Sequence, residues 1–490
     1  MRIFLLCICG IVLLLLSSCG NSGSAGGPLP TLPFESEPII VNETINKIIP
    51  AELIETRDTC ESKSIRVLIN TSHFASRIHG SVTITATGAF VVRGGGVLEG
   101  ATERHFDAGE FFSLQRVTDM AGYEYFCIQP ITDCNQLVLV GLGRNWGNNG
   151  HPSYRGRLEI RVKNGGFLVV NELCFEEYLY AVVPSEMPSS FGLEASKIQA
   201  ITARSFAYRQ FYEMRFRAYG AHIDDSVMSQ VYNNLPETEI SIEAVRATRG
   251  LILAYNGEVI LANYFSTSGG TTANSGEVWA GVGAFPAETP PFLRARAQFE
   301  PSFTVGDLRY EENAAAFFKN TDVPAFERDL PWFRWQVRMT AQELTTAINA
   351  RGVGNIGQIY DLQVIQRGQG GNIMELLIVG TSGSAPIFTE FEIRATLAPR
   401  NSRLTLNNGT TLNGWGMMPS AFFTMEKERD VFGALVAVTF YGGGHGHGVG
   451  MSQNGARALL DRGFTYREVL AHFYPGTEVV EMGTNPICIN

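Results

Sequence analysis

The chain has 490 residues, 45% of them hydrophobic and 18% charged. That composition supports a large core and excludes an intrinsically disordered chain. Thirty-eight basic residues against 48 acidic ones leave a net charge of −10, the opposite of the basic footprint that nonspecific nucleic-acid binding requires. With 52 glycines and 11% aromatics, the expected class is mixed α/β and multidomain, rich in turns, and neither a coiled coil nor a bundle.

Met1-Arg2 precedes an apolar run from Ile3 to Leu16, followed by Ser17-Ser18-Cys19. A run of about fourteen apolar residues is short for a membrane span and fits a signal-peptide core. The small residues before Cys19 resemble a bacterial lipobox, with Cys19 lipidated and residues 1–19 a lipoprotein signal. The alternative is an ordinary secretory signal with an incidental cysteine. Both readings place the protein outside the cytoplasm, and the first anchors it to a membrane of the cell envelope. Residues 20–60, opening with Gly, Ser, Pro and Asn, are expected to be a flexible linker.

From 61 to 165 the signals are those of a β-rich module. Ile65–Ile69 and Ser81–Thr85 alternate at period two, and no helical periodicity of useful length interrupts them. The pattern changes at Glu176. Residues 192–215 are the strongest helix candidate: Leu193, Ala200, Ala203, Ala207 and Phe211 fall three, four or seven apart, on one face. Strands are expected again at 250–266 and 359–366, with a helix at 341–350. Thr465-Tyr466-Arg467-Glu468 is a capping box opening a short helix that Pro475-Gly476 ends. Residues 166–480 are expected to form one functional region, in which about 300–430 is a second lobe or insertion. Beyond the signal stand Cys60, Cys127, Cys134, Cys174 and Cys488. An odd number leaves a thiol unpaired, and Cys127 with Cys134, flanking an expected hairpin, is the best candidate pair. No CxxC pair with zinc spacing occurs.

Three stretches could carry chemistry. In Val183-Pro184-Ser185-Glu186-Met187-Pro188 two prolines fix the backbone around one carboxylate. Beside Met187, Phe191 and Tyr178, Glu186 would be partly desolvated and its pKa raised, as a general acid requires; a solvated loop glutamate is the plainer reading. Arg204, on the helix that follows, either points at a polar or anionic ligand or lies on the surface. Tyr264-Phe265-Ser266-Thr267-Ser268-Gly269-Gly270 would present hydroxyls and backbone N–H groups as a floor for a polar ligand. Ser268 lacks the surroundings of a nucleophile elbow. The third stretch, Gly442-Gly443-Gly444-His445-Gly446-His447-Gly448-Val449-Gly450-Met451-Ser452-Gln453, demands unusual backbone angles or a close approach. On a strand His445 and His447 would share a face, for metal ligation or contact with a polar substrate.

Taken with Asn171-Glu172-Leu173, Glu177-Tyr178-Leu179, Ala203-Arg204-Ser205, Gln230-Val231-Tyr232 and the closing Asn454-Gly455-Ala456, these stretches resemble, in order and spacing, the SpoIID/LytB family of bacterial cell-wall proteins. The resemblance runs from about residue 66 to 480. It implies a protein acting on peptidoglycan: either a lytic transglycosylase that cleaves glycan strands stripped of stem peptides, or an enhancer of a separate cell-wall amidase. It makes Glu186 the catalytic acid and has Arg204 shape the active site. Gln230, Tyr264, Ser266, Ser268, Gly269, Gly270, His445, His447 and Gln453 would bind the saccharide. Transglycosylation needs one carboxyl group, which protonates the glycosidic oxygen and then acts as base while the sugar's C6 hydroxyl closes a 1,6-anhydro ring. No cofactor is called for. Some family members carry zinc on cysteines just before the Q-V-Y motif. Here that segment, His222 to Ser229, has none, so no zinc is expected there.

Overall fold

In the strand Ser64–Ile69, Ile65, Val67, Leu68 and Ile69 are buried while Ser64 faces solvent, so the period-two pattern seats this strand inside a sheet. The computed structural model describes residues 64–482 apart from 96–101, 121, 143–150, 214 and 282–283. The expected signal, Cys19 and the 20–60 linker therefore lie outside the described residues. Contacts divide the chain into two units, one made of residues up to Glu186 with Gln210–Glu239, the other of Met187–Arg209 with Ile240 onward.

The first unit is built on a seven-stranded sheet. Its order is Ile223–Asp224, Ser64–Ile69, Gly166–Cys174, Arg157–Lys163, Tyr125–Pro130, Phe90–Gly95, Thr102–Phe106. All its pairings are antiparallel except that of Ser64–Ile69 with Ile223–Asp224. A four-stranded sheet of Phe112–Leu114, Val82–Ala86, Leu137–Leu139 and Ser153–Tyr154 accompanies it. The sheet's long strand Gly166–Cys174 leads directly into helix α1 (Phe175–Glu186). The prolines of Val183–Pro188 conceal this helix in the sequence. Pro184 lies inside its last turn, where its missing N–H withdraws one backbone bond. The Ser185 hydroxyl donates back to the Ala181 carbonyl at 2.6 Å. Cys127 and Cys134 are not bridged. Cys127 is held in a central strand opposite Arg93 and Glu159, Cys134 lies exposed beyond that strand's end, and both are free thiols. The disulfide-bonded cysteine among the described residues is Cys174.

The second unit holds most of α2 (Leu193–Glu213). From Ala195 to Tyr208 only Lys197 is not buried, so the helix is enclosed on every side and not along a single apolar face. Among its interior polar groups, the Ser205 hydroxyl donates to Ile201 O (2.7 Å) and accepts from Leu253 N–H (2.8 Å). Helices α3 (Glu239–Ala247), α4 (Glu311–Lys319), α5 (Ala341–Arg351), α6 (Glu390–Thr396), α7 (Gln453–Leu460) and α8 (Tyr466–Phe473) follow. Capping boxes open α5 at Thr340 and α8 at Thr465. Two hydrophobic clusters form its core. One joins Met187, Ile198 and Ile201 to Phe317, Phe318, Phe422, Met451 and Phe473. The other, within residues 335–440, packs Trp335, Leu344, Leu362, Leu376, Ile393 and Phe440. A five-stranded antiparallel sheet contains Trp335–Thr340, Leu435–Gly442 and Phe423–Arg429, and the strand Ile359–Arg367 edges a three-stranded one. A short parallel pair, Tyr264–Phe265 with Met451–Ser452, draws together the second and third stretches singled out in the sequence.

Candidate functional site

In the first unit, Glu186 is the last residue of α1, and its half-buried carboxylate accepts the backbone N–H of Val231. The residues around Val231 explain why the chain passes there. Gln230, wholly buried, accepts a hydrogen bond from the Tyr178 hydroxyl at 3.1 Å. The Tyr232 hydroxyl donates to Asn171 Oδ1 at 2.7 Å, and the Tyr178 and Tyr232 rings lie 5.0 Å apart. Ser185 Oγ accepts the N–H groups of Asn234 (3.0 Å) and Leu235 (3.1 Å). Asn171, Tyr178, Gln230 and Tyr232 thus make a buried polar and aromatic frame holding one amide donor against Glu186. Burial drives the Tyr178 hydroxyl far above its ordinary pKa, and the negative charges of Glu186, Asp224 and Asp225 add to this. Tyr178 therefore remains a neutral donor. Asp224 and Asp225 are buried beside it, with Asp225 Oδ1 accepting from the Asn70 side-chain amide at 2.6 Å. Burial raises the Asp224 pKa against the hydrogen bonds from Ser229, Ser226 and Asn70. Gln230 is accordingly a frame residue, because none of its surface is free to touch a saccharide.

In the second unit, Arg204 does not lie on the surface. It is 0% exposed, and its guanidinium donates to the carbonyls of Leu251 (3.0 Å) and Val245 (3.3 Å). Its contribution is to fix α2 against those segments.

The Tyr264–Gly270 stretch departs further from expectation. Only Tyr264 and Ser266 in it keep partial exposure; Ser268, Gly269 and Gly270 are buried. Ser268 gives its hydroxyl and, at 3.0 Å, its N–H to the carboxylate of Glu327. The Ser452 hydroxyl donates to the same carboxylate at 2.6 Å, and the Gly455 N–H reaches it too. Glu327 is 1% exposed, and burial pushes its pKa up to about 7 despite these donors. On the other side of the stretch, the buried Arg334 donates to Gly269 O at 2.8 Å and to the carbonyls of Phe317 and Asn320, and burial pulls its pKa down to about 9. A Cβ on Gly269 would sit 2.9 Å from Gly443 Cα, so this glycine is required by backbone meeting backbone and not by room for a ligand. The sequence did not reveal Glu327 or Arg334. Glu327 precedes Arg328 and Asp329, Arg334 lies within the aromatic run Trp332-Phe333-Arg334-Trp335, and only tertiary packing makes both interior.

The two histidines do not share a strand face. They occupy a loop in which Gly444, Gly446, Gly448 and Gly450 all take positive φ. His445, 4% exposed, stacks on Trp332 with ring centres 4.4 Å apart and planes 17° off parallel. His447 packs between Phe265 (5.7 Å) and Trp279 (4.9 Å). Its Nδ1 accepts the Val449 N–H at 3.1 Å, and its ring is also hydrogen-bonded to the Tyr264 backbone. Burial, then the charge of Arg394, lowers both histidine pKa values to about 3, so both rings are neutral at physiological pH. Gln453 is buried, its Nε2 donating to Gln199 Oε1 at 3.3 Å. Of the expected saccharide contacts, Tyr264, Ser266 and His447 keep partial exposure. Among the described residues no group of three or more His, Cys, Asp or Glu is arranged to hold a metal ion.

A family model described as stage II sporulation protein, SpoIID, matches residues 163–255, and a second, described as a domain of unknown function, matches 281–450. The first match takes in α1, Glu186, α2, Arg204 and the Gln230–Tyr232 frame. The amidase enhancer of Bacillus subtilis (strain 168) is 27% identical over 319 residues, 61% of this chain and 40% of the relative. Stage II sporulation protein D of the same organism is 26% identical over 328 residues, 64% of this chain and 76% of the relative. That of Bacillus amyloliquefaciens is 27% identical over 327 residues, with the same coverage. The chain thus spans about two-fifths of the amidase enhancer and three-quarters of the sporulation proteins it matches. The family match falls on the segment that carries Glu186 and its frame, so residues 163–255 hold a SpoIID-like domain, and about two thirds of the chain is similar to the sporulation and amidase-enhancer proteins.

Proposed function

We propose that this protein has a cell-wall role and acts on peptidoglycan as a lytic transglycosylase, with Glu186 as both acid and base. The observation that carries this reading is the Glu186 carboxylate, half-buried at the end of α1 and oriented by the Val231 N–H. In the proposed reaction the Glu186 carboxyl group gives its proton to the glycosidic oxygen as the C1–O bond breaks. The C6 hydroxyl of the same sugar forms the new bond to C1 and returns its proton to Glu186. Neither water nor a second carboxylate takes part, so one positioned carboxyl group suffices. Mass spectrometry of glycan strands, with and without stem peptides, tests this in wild type and Glu186→Gln. Shortened strands with 1,6-anhydro ends, at least about 1,000-fold fewer in the variant, are expected; full cleavage by the variant refutes the mechanism.

A second reading, a glycan-binding enhancer of a cell-wall amidase, draws on the relative named amidase enhancer. Strands bound but left at their original length, with faster stem-peptide release by added amidase, would select it. We also propose that Cys19 carries a lipid that holds the protein at the envelope. Cys19→Ser is expected to move it from the membrane to the soluble extracytoplasmic fraction, and unchanged fractionation refutes the anchor.

A further inference from the structure

Phe265, His447 and Trp279 form a ladder of rings that runs from the core outward. Phe265 is 5% exposed, His447 is half-buried, and Trp279 ends the ladder at 36% exposed. The ladder is rigid for reasons visible in its bonds. The His447 imidazole is held from two sides, by the Val449 N–H and by the Tyr264 backbone. The Trp279 backbone N–H donates to Ser275 O at 3.0 Å, continuing the short 3₁₀ turn Ser275–Glu277, and Val278 before it is fully buried. Ala280 and Gly281 follow, both exposed and both small. The indole N–H makes no hydrogen bond to the described residues. Polar groups surround the same turn. Asn274 Nδ2 donates to Gln369 Oε1 at 3.2 Å, and a Glu277 carboxylate oxygen accepts the Gln369 N–H at 3.0 Å.

We propose that Trp279 is a stacking platform for one sugar ring of a glycan strand, with Asn274, Glu277 and Gln369 beside it for the ring hydroxyls. A pyranose has apolar C–H faces and a polar rim, the shape that a rigid, half-exposed indole bordered by amide and carboxylate groups complements. Fixing the ring before the ligand arrives removes the entropy cost of ordering it on binding. This proposal rests on the glycan reading above and adds a residue that recognises the sugar.

Isothermal titration calorimetry of the full chain with purified peptide-free glycan strands tests it, using wild type, Trp279→Ala and Trp279→Phe. Trp279→Ala should weaken binding at least about 10-fold, and Trp279→Phe, which keeps a ring against His447, about 3-fold. Wild-type affinity in Trp279→Ala overturns the platform while leaving the glycan reading intact. If wild type itself fails to bind, both fall. If Trp279→Ala also lowers the melting temperature, Trp279→Phe decides: affinity within about 3-fold of wild type upholds stacking, and loss equal to that of alanine overturns it.

Discussion

Replacing Glu327 by Gln removes an ionisable group from the junction of Ser268, Ser452 and Gly455 while keeping its shape. Because the folded-state pKa is raised from 4.5 to about 7, the folded protein holds a proton that the unfolded chain releases between those values. Stability contributed by this group is therefore present below about pH 4.5 and falls as pH rises through about 7. A shift of this size corresponds to about 3 kcal/mol at full ionisation. Glutamine cannot ionise, so the stability difference between wild type and Glu327→Gln should change by about 3 kcal/mol in favour of the variant between pH 4.5 and pH 8. Whatever constant offset the amide introduces drops out of that difference. Urea titrations at half-unit pH steps, followed by tryptophan fluorescence, measure it directly. Parallel pH profiles for the two proteins would show that Glu327 does not titrate in this window, and the reasoning would fail.

Arg204→Lys should destabilise by about 2–4 kcal/mol, because a single ammonium group cannot replace the planar fork that reaches both the Leu251 and Val245 carbonyls; an unchanged melting temperature with reduced glycan affinity would instead indicate ligand contact. Gly450→Ala combines a positive φ of 74° with a Cβ 2.1 Å from Asn263 O and should cost more than about 3 kcal/mol. Gly463→Ala, at φ 90° in open space, should cost only about 1 kcal/mol. Thermal melts of the two alanine variants separate the clash from the backbone strain. Phe432→Ser, at a hairpin tip where the phenylalanine is 92% exposed, should change stability by less than about 0.5 kcal/mol and reduce self-association in light scattering.

Elements whose signal is local were legible in the sequence. The Thr465 capping box opens α8 where expected, the 341–350 helix and 359–366 strand each run one residue further, and the 192–215 pattern corresponds to α2. Helix α1 was not legible, since Pro184 and Pro188 read as breakers while Tyr178, Leu179, Val182 and Val183 pack inside. The resemblance singled out Glu186 and the residues of its frame. It did not show that Gln230, Arg204, Ser268, His445 and Gln453 are interior. Serine, glutamine and histidine motifs look alike whether they meet a ligand or a neighbouring loop. Telling the cases apart requires knowing where Glu327 and Trp332 lie, and no local pattern encodes that.

The parallel pairing of Tyr264–Phe265 with Met451–Ser452 sets a timetable for synthesis. Ser268 and Ser452, both bound to Glu327, are 184 positions apart in the chain. Closing a loop of that length costs about 4–5 kcal/mol of chain entropy before any contact forms. At about 5–20 residues per second, a ribosome needs about 10–40 s to travel from one serine to the other. The early partner, with its buried-to-be serine and glycines, must wait through that interval. Chains that stop before Ser452 never acquire the junction, so its assembly depends on synthesis having passed that residue.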